Sequence, residues 1–144
     1  MKNTSLYLQN CLYFSANALA RNITRMAETA FKDTDLSPSY AFAIMLVNEQ
    51  PGITIKELSE HLHLAPSTLT RFVDKLVYRD LVERKQNGKL TQVYPTENAA
   101  AIQKDIEAAW KQLYEDYNAI IGKEFGDELT QDIFKANQKI EDLA

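Results

Sequence analysis

Two short helical segments separated by only three residues constrain the fold of this chain more than any other feature. Thr54 and Glu57 have the spacing of a capping box, in which the two side chains satisfy each other's free backbone amides, and they predict a helix over 54–62. A proline opens the next apolar-periodic segment, 66–79, which is predicted to be a second helix. Two short helices joined by a tight turn at 63–65 indicate a helix-turn-helix.

A β-hairpin is predicted to follow these helices. Asn87-Gly88 is the strongest short-range turn signal in the chain, because both central residues of such a turn need positive φ. With these two residues as the loop, Val82 lies opposite Val93, and this pair of β-branched residues supports the register. The predicted cross-strand pairs are Gln86–Lys89, Arg84–Thr91 and Val82–Val93, with Leu81 facing Tyr94 on the other side.

Long amphipathic segments flank this region. Apolar residues within 5–32 fall on one broad stripe without Gly or Pro, and they predict one long helix. Another helix is predicted to open at Ser37-Pro38, with the serine as cap and the proline at the first helical position. The segment 97–143 has the same apolar rhythm, which Gly122 and Gly126 interrupt.

The order of these elements predicts a mainly α fold with a small β-hairpin wing, in other words a winged helix-turn-helix. We expect a single domain over 1–144, with a DNA-binding lobe over about 36–95. The terminal helices, over about 5–32 and 97–143, present more apolar surface than a small lobe covers, and this excess favours dimerisation.

The distribution of charge is more informative than the net charge of −4. Residues 56–92 contain seven basic and five acidic side chains, for a net of +2, whereas residues 93–144 contain five basic and eleven acidic ones, for a net of −6. A positive segment in an acidic chain suits a protein that presents one face to phosphate.

The remaining composition excludes several classes of protein. No apolar run approaches the roughly 20 residues of a membrane span, and no signal-peptide core follows the N-terminus, so we expect a cytoplasmic protein. The chain has no phosphate-cradling Gly-rich loop and no Ser/His/Asp or Cys/His set at recognisable spacing, so neither an enzyme nor a bound cofactor is expected. His61 and His63 are two residues apart and point to different helix faces, which argues against a metal site.

The exposed N-terminal end of the helix 66–79 has the chemistry for reading DNA. Its short hydroxyl side chains can approach base edges or phosphates closely, and the positive end of the helix favours phosphate. Arg71 is the long side chain positioned to bond guanine in two places, an interaction that discriminates by about 1–3 kcal/mol. Lys75 is predicted to reach a phosphate, and Lys85 and Lys89 to reach the minor groove. The candidate DNA-binding residues are Pro66, Ser67, Thr68, Thr70, Arg71, Lys75, Arg84, Lys85 and Lys89.

Four segments follow one another along the chain: Leu36-Ser37-Pro38-Ser39-Tyr40, Thr54 to Leu62, Pro66 to Leu76 and Asp80 to Arg84. In these segments and in their order the chain resembles the MarR family of multiple-antibiotic-resistance-type regulators. The resemblance implies that the terminal helices interlock in an obligate homodimer and that the wings bind the minor groove. It further implies a near-palindromic double-stranded DNA operator and a repressor that is relieved by a small ligand or by oxidation.

The wing departs from the family pattern. The family commonly has Asp-x-Arg in the wing, where the aspartate braces the recognition helix and the arginine enters the minor groove. This chain has Arg84-Lys85-Gln86-Asn87-Gly88-Lys89-Leu90-Thr91 instead, with no aspartate and a shorter tip. Lys89 is the nearest counterpart of that arginine, and lysine is more strongly hydrated and suits a narrow groove less well.

Three alternatives stay open at the level of sequence. The short wing keeps alive a protein-interaction module with the same fold and little DNA affinity. Cys11 is a candidate redox site, although it lies two positions before the place of the reactive cysteine in peroxide sensors of the family, and an inert thiol is the simpler interpretation. Four aromatic residues are candidates for a ligand pocket or, more simply, for core and dimer interface: Tyr13, Phe14, Tyr40 and Trp110.

Overall fold

The computed structural model describes residues 3–143 and confirms a mainly α-helical winged helix-turn-helix. The helices are α1 (Thr4–Gln9), α2 (Leu12–Phe31), α3 (Pro38–Glu49), α4 (Ile55–Leu62), α5 (Pro66–Tyr78), α6 (Glu97–Ile121) and α7 (Lys123–Glu141). The strands are β1 (Ile53–Thr54), β2 (Val82–Asn87) and β3 (Leu90–Pro95), and a short 3-10 turn occupies Lys32–Thr34. Within the described residues, no helix has both the length and the apolar character that a bilayer span requires.

The chain divides into two compact units, and each is described by itself. The central lobe is Glu28–Trp110, and the terminal unit consists of the described parts of Met1–Ala27 and Lys111–Ala144. The central lobe contains the helix-turn-helix and the sheet, whereas the terminal unit contains α1, α7 and parts of the two long helices.

A continuous apolar core holds the central lobe together. Leu69, Val73 and Leu76 recur at spacings of four and three along α5, so one face of that helix is fully buried. This face packs in a core to which the neighbouring helices and every strand contribute. The side chains with at most 1% exposure in this core include Ile44, Val47, Ile53, Leu58, Leu69, Val73, Leu76, Val82 and Val93.

The predicted capping box opens α4 as expected. The Glu57 amide donates to Thr54 Oγ1 over 3.1 Å, and the Thr54 amide donates to Glu57 Oε1 over 3.3 Å. His63 ends α4 in the left-handed conformation, and Pro66 opens α5 after the predicted tight turn. The two helices of the helix-turn-helix therefore begin and end where the sequence predicts.

The sheet has a third strand that the sequence did not predict. The strand order is β1-β3-β2, and Ile53 pairs with Val93 across the antiparallel β1–β3 ladder. Gly52 precedes β1 with φ +91, and a Cβ at this position would lie 3.1 Å from Tyr94 Oη. β1 was missed because two residues are too few to show the alternation that identifies a strand.

The hairpin register differs from the predicted one by two residues. β2 and β3 pair Gln86 with Thr91 and Arg84 with Val93, and the loop is Gly88-Lys89 rather than Asn87-Gly88. Gly88 has φ +63, so the glycine occupies the first central position, as in a type II′ turn. This loop adds the pair Asn87–Leu90 to the ladder. Because the shift is even, every side chain keeps its predicted face of the sheet.

The N-terminal segment is two helices rather than the single predicted helix over 5–32. The interruption lies at Asn10 and Cys11, between α1 and α2. Asn10 Nδ2 donates to the Leu6 carbonyl over 2.8 Å, which satisfies a backbone group that helix continuation would otherwise use. The apolar stripe gave no sign of this break, and Asn17 makes the same bond to the Tyr13 carbonyl within the continuous helix α2.

Only one of the two predicted interruptions in the C-terminal segment is observed. Gly122, with φ +91, separates α6 from α7, whereas Gly126 lies inside α7 and is buried. A Cβ on Gly126 would lie 2.0 Å from Asn118 Oδ1. Gly126 therefore permits close helix approach within the terminal unit instead of ending a helix.

Candidate nucleic-acid interface

The outer face of α5 is a polar stripe opposite its buried apolar face. Ser67, Arg71, Asp74 and Tyr78 follow one another at spacings of four, three and four, and all four side chains are exposed. Among residues 3–143, the Arg71 guanidinium has neither a hydrogen-bond acceptor nor an ion-pair partner. An unpaired guanidinium on a rigid helix is the arrangement that base recognition requires.

The first turn of α5 combines small polar side chains with the positive end of a helix. Ser67 is exposed and Thr68 is half-buried, while the Thr70 hydroxyl donates to the Pro66 carbonyl over 3.1 Å. Ala65 occupies the N-cap position, and within the described chain no side chain caps this helix. The N-terminal end of α5 therefore remains accessible to an anion.

Lys75 follows Arg71 by four residues on α5, so the two side chains start from nearly the same face of the helix. Lys75 Nζ is 5.8 Å from the centre of the Tyr40 ring, and Tyr40 packs against Phe72 with ring centres 4.3 Å apart. This places the Lys75 ammonium along the α3 side of the recognition helix. A phosphate contact by Lys75 stays a prediction.

Arg84 is ion-paired to the recognition helix. Its Nη1 donates to Asp74 Oδ1, and both side chains are partly exposed. The sequence identified Arg84 as a candidate DNA contact, and that role also stays a prediction. Asp74 was missed because an acidic residue is an unfavourable neighbour for phosphate, and its pairing depends on a contact ten residues away in the chain.

The tip of the hairpin presents cations and one apolar side chain. Lys89 is exposed in the loop, and Lys85 Nζ lies 5.3 Å from the centre of the Tyr94 ring. The Thr91 hydroxyl donates to Gln86 Oε1 over 2.9 Å and thereby ties the two strands near the tip. Leu90 is half-exposed beside Lys89, and its exposure was not predicted.

The candidate ligand-pocket residues differ in their surroundings. Tyr13 and Phe14, at the start of α2, are exposed, with 79% of the Tyr13 side chain accessible. Trp110 is about half-exposed, whereas Tyr40 belongs to the aromatic contact with Phe72. The role of these four residues in ligand binding stays a prediction.

The other candidate site residues are isolated from metal-binding chemistry. Cys11 is partly buried between α1 and α2, and its reactivity stays a prediction. His63 forms the C-cap of α4, and His61 lies in the last turn of that helix. Among residues 3–143, no group of three or more His, Cys, Asp or Glu side chains is arranged to hold a metal ion.

The terminal unit has an apolar groove of about 200 Å³. Burial raises the pKa of the Tyr117 hydroxyl at this groove. Nearby in the same unit, Asp127 accepts hydrogen bonds from Lys123 and Tyr114, which lower the pKa of its carboxyl. The groove is lined by Leu19, Ile23, Tyr117, Ile121, Gly126, Leu129, Thr130 and Ile133.

Comparisons with known proteins agree with this geometry. Residues 36–89, which span the helix-turn-helix, all of β2 and the hairpin loop, match the model of the MarR family. The HTH-type transcriptional regulator SarZ of Staphylococcus haemolyticus is 27% identical over 115 residues, which cover 78% of each chain.

Two solved structures have the same fold as this chain. The transcriptional repressor CouR, solved with a 23-mer DNA duplex, superposes with a TM-score of 0.80 at 14% identity, covering 90% of this chain and 94% of that one. CouR from Rhodococcus jostii RHA1, solved with p-coumaroyl-CoA, superposes with a TM-score of 0.74 at 21% identity, covering 92% and 93%. At these identities the likeness shows the fold.

Proposed function

We propose that the chain is a transcriptional regulator of the MarR type, a DNA-binding protein and not an enzyme, and that it acts as a homodimeric repressor relieved by a small ligand. Its operator would be a near-palindromic sequence in double-stranded DNA, because two identical lobes read two half-sites in opposite orientation.

The unpaired Arg71 on the outer face of α5 is the observation that carries the proposal. In the major groove, a guanidinium in this position donates two hydrogen bonds to one guanine. Ser67 and the uncapped start of α5 approach the phosphates beside it. Lys89 at the tip of the hairpin supplies a second, sequence-independent contact in the minor groove.

The terminal unit supports the homodimer through its exposed apolar surface. Of fifteen large hydrophobic side chains that are exposed among the described residues, twelve belong to this unit. Exposed apolar surface on this scale marks an interaction site in a globular protein, and helices at both ends of the chain fit a second copy. The twelve are Leu6, Tyr7, Leu8, Leu12, Tyr13, Phe14, Ile120, Phe125, Ile133, Phe134, Ile140 and Leu143.

Relief of repression by a small ligand is inferred from a solved protein of the same fold. CouR, a repressor of the same fold, has been solved with p-coumaroyl-CoA and also with DNA. The aromatic side chains of Tyr13, Phe14, Tyr40 and Trp110 are the candidates for contacting an effector in this chain. A ligand that binds the DNA-free state more tightly than the DNA-bound state would release the operator.

The test begins with selection of genomic fragments by the purified full-length protein. Operator affinity is then measured by fluorescence anisotropy over a series of salt concentrations for wild type, Arg71→Ala and Lys89→Ala. Arg21→Ala is the matched control, since it removes the same charged group from an exposed position in the terminal unit.

We expect Arg71→Ala to weaken operator binding by about 1–3 kcal/mol and to lose preference at one base pair in each half-site. Lys89→Ala should weaken binding to all sequences and reduce the salt slope by about 0.9. Arg21→Ala should match wild type. The absence of an enriched sequence, with equally weak binding by all four proteins, would instead favour a protein-interaction module.

A further inference from the structure

Leu90 is an exposed apolar side chain at the tip of the wing, defined here as residues 82–95. We propose that Leu90 is a specificity-determining residue of the DNA contact, which makes the protein prefer A·T over G·C pairs in the minor groove beside each half-site. The inference rests on the proposed function and deepens it, because it specifies the base composition of the operator flanks.

The hairpin register places Leu90 in the outermost pair of the ladder. Leu90 lies opposite Asn87 and directly follows the loop Gly88-Lys89. Half of its side chain is exposed, whereas Val93 on the same strand is fully buried. A single exposed leucine is common on protein surfaces. Here its position is informative, because the tip is the part of the hairpin farthest from the core and Leu90 stands there beside a cation.

The polar side chains around Leu90 divide into paired and unpaired groups. The Gln86 amide donates to the Gly88 carbonyl over 3.1 Å and accepts from the Thr91 hydroxyl over 2.9 Å, so it is occupied within the hairpin. In the described part of the chain, the Asn87 side chain has no hydrogen-bond partner. Asn87 and Leu90 share one face of the hairpin, because directly opposed residues of a ladder do. The tip therefore presents an apolar side chain, a free amide and a cation, the groups with which proteins read the minor groove.

The dimensions of the minor groove restrict the contact to this tip. The groove is about 6 Å wide in B-DNA, and two strands about 4.8 Å apart are too wide to enter it together with their side chains. Single side chains at the tip do fit. Leu90 then packs on the groove floor and the deoxyribose walls, as apolar side chains of minor-groove binders do.

The groove floor distinguishes the two kinds of base pair by one group. An A·T pair presents only acceptors there, whereas a G·C pair adds the 2-amino group of guanine. This amino group takes the space that the Leu90 side chain needs, and leucine offers it no acceptor, so the buried donor loses its hydrogen bond to water. The acceptors of an A·T pair can receive the Asn87 amide instead. Lys89, as a charge, binds the phosphates of any sequence.

The first experiment separates Leu90 from Lys89 by the salt dependence of operator affinity. Full-length wild type, Leu90→Ala, Leu90→Met and Lys89→Ala are compared by fluorescence anisotropy over a series of salt concentrations. We expect Leu90→Ala to weaken binding by about tenfold at every salt concentration, because an apolar contact releases no counterions. Lys89→Ala should instead reduce the salt slope.

Leu90→Met is the matched control, since methionine keeps an apolar side chain of similar volume. It should bind the operator within about threefold of wild type. Circular dichroism should report the same helix content for all four proteins.

The second experiment changes only the minor groove of the operator flanks. Diaminopurine in place of adenine adds a 2-amino group to an A·T pair, and hypoxanthine in place of guanine removes it from a G·C pair. Diaminopurine should weaken wild-type binding by about tenfold, the effect of one unfavourable base pair, and hypoxanthine should relieve the penalty of a G·C flank. Leu90→Ala should respond to either base by less than about threefold.

Two results would overturn the inference and leave the proposed function intact. Leu90→Ala binding the operator as tightly as wild type would show that Leu90 makes no DNA contact. Equal sensitivity of wild type and Leu90→Ala to diaminopurine would show that another group reads the minor groove. If wild type selects no operator at all, the proposed function fails, and this inference fails with it.

Discussion

The central lobe and the terminal unit place their apolar side chains in opposite ways. In the central lobe the large aliphatic residues of α5 and the sheet are fully buried, and its exposed large hydrophobic residues among those described are Tyr78, Leu90 and Trp110. In the terminal unit, the helices at both chain ends present most of theirs to solvent. The central lobe buries its own apolar core, whereas the terminal unit exposes apolar surface of the kind that marks an interaction site.

The largest expected effect tests this contrast with the same substitution in both units. Leu69→Ala removes a fully buried side chain and should lower the free energy of unfolding by about 2–5 kcal/mol. Leu12 is 73% exposed, so Leu12→Ala should change the stability of the monomer by less than about 0.5 kcal/mol and weaken self-association instead. Urea denaturation measures the first effect and sedimentation at several concentrations the second. Equal losses of unfolding free energy for Leu69→Ala and Leu12→Ala in dilute protein would contradict this difference between the two units.

The next effect concerns a tightly packed position in the terminal unit. A Cβ on Gly126 would meet Asn118 Oδ1, so Gly126→Ala should destabilise the protein by about 1–3 kcal/mol. Adding Asn118→Ala should recover most of the loss, because it removes the obstacle together with a buried amide that has no partner among the described residues. Thermal denaturation of the two single variants and the double variant measures this coupling. If the losses of stability in the two single variants simply add in the double variant, the contact between a Cβ at position 126 and Asn118 is not the cause of the destabilisation.

A smaller effect is expected at the capping box of the central lobe. The backbone amide and then the hydroxyl of Thr54, followed by Gln50, bond the Glu57 carboxylate and lower its pKa. A lowered folded-state pKa stabilises the protein above the unfolded pKa, and this stabilisation is lost as the pH falls through the folded pKa. Thr54→Ala should therefore cost about 0.5–2 kcal/mol at neutral pH, and the difference from wild type should narrow in acid. Urea denaturation at several pH values measures the difference in unfolding free energy between wild type and Thr54→Ala. A difference that widens in acid would contradict the prediction.

The smallest effect is expected for a surface ion pair. Arg79 Nη2 lies 3.2 Å from Asp35 Oδ2, and the Asp35 side chain is almost fully exposed. Asp35→Asn keeps a residue that tolerates the left-handed conformation found there and should cost about 0.2–1 kcal/mol. The cost should disappear in 1 M salt, where such pairs are screened. A larger, salt-independent loss would assign a structural role to the pair.

Features that depend on neighbouring residues were the predictable ones. The capping box of Thr54 and Glu57, the proline start of α5 and its buried face were all expected from local spacing, and the structure confirms them. The structure confirms the winged helix-turn-helix fold that their order indicated. For the same reason Arg71 could be identified as an exposed side chain before any coordinates were known.

Features that depend on a competition between close alternatives were not predictable. The hairpin has two loops that differ by one residue in position, and the side-chain bonds of Gln86 stabilise the one with Gly88 first. The break at Asn10 has no local signature in the sequence either, because Asn17 makes the same side-chain bond within continuous α2. The pairing of Asp74 with Arg84 requires knowledge of where β2 lies relative to α5, which no spacing rule contains.

The central position of β3 in the sheet joins the base of the hairpin to the helix-turn-helix. β3 pairs with β1 through Ile53 and Thr54, and Thr54 is also the N-cap of α4. The base of the hairpin is therefore connected to the first helix of the helix-turn-helix. The loop at Gly88-Lys89 lies at the other end of the hairpin, and a Cβ on Gly88 would meet no atom within 4 Å. Lengthening a loop costs little free energy. The fold therefore tolerates insertions at this tip, and under the proposed function such insertions are a route to altered operator binding.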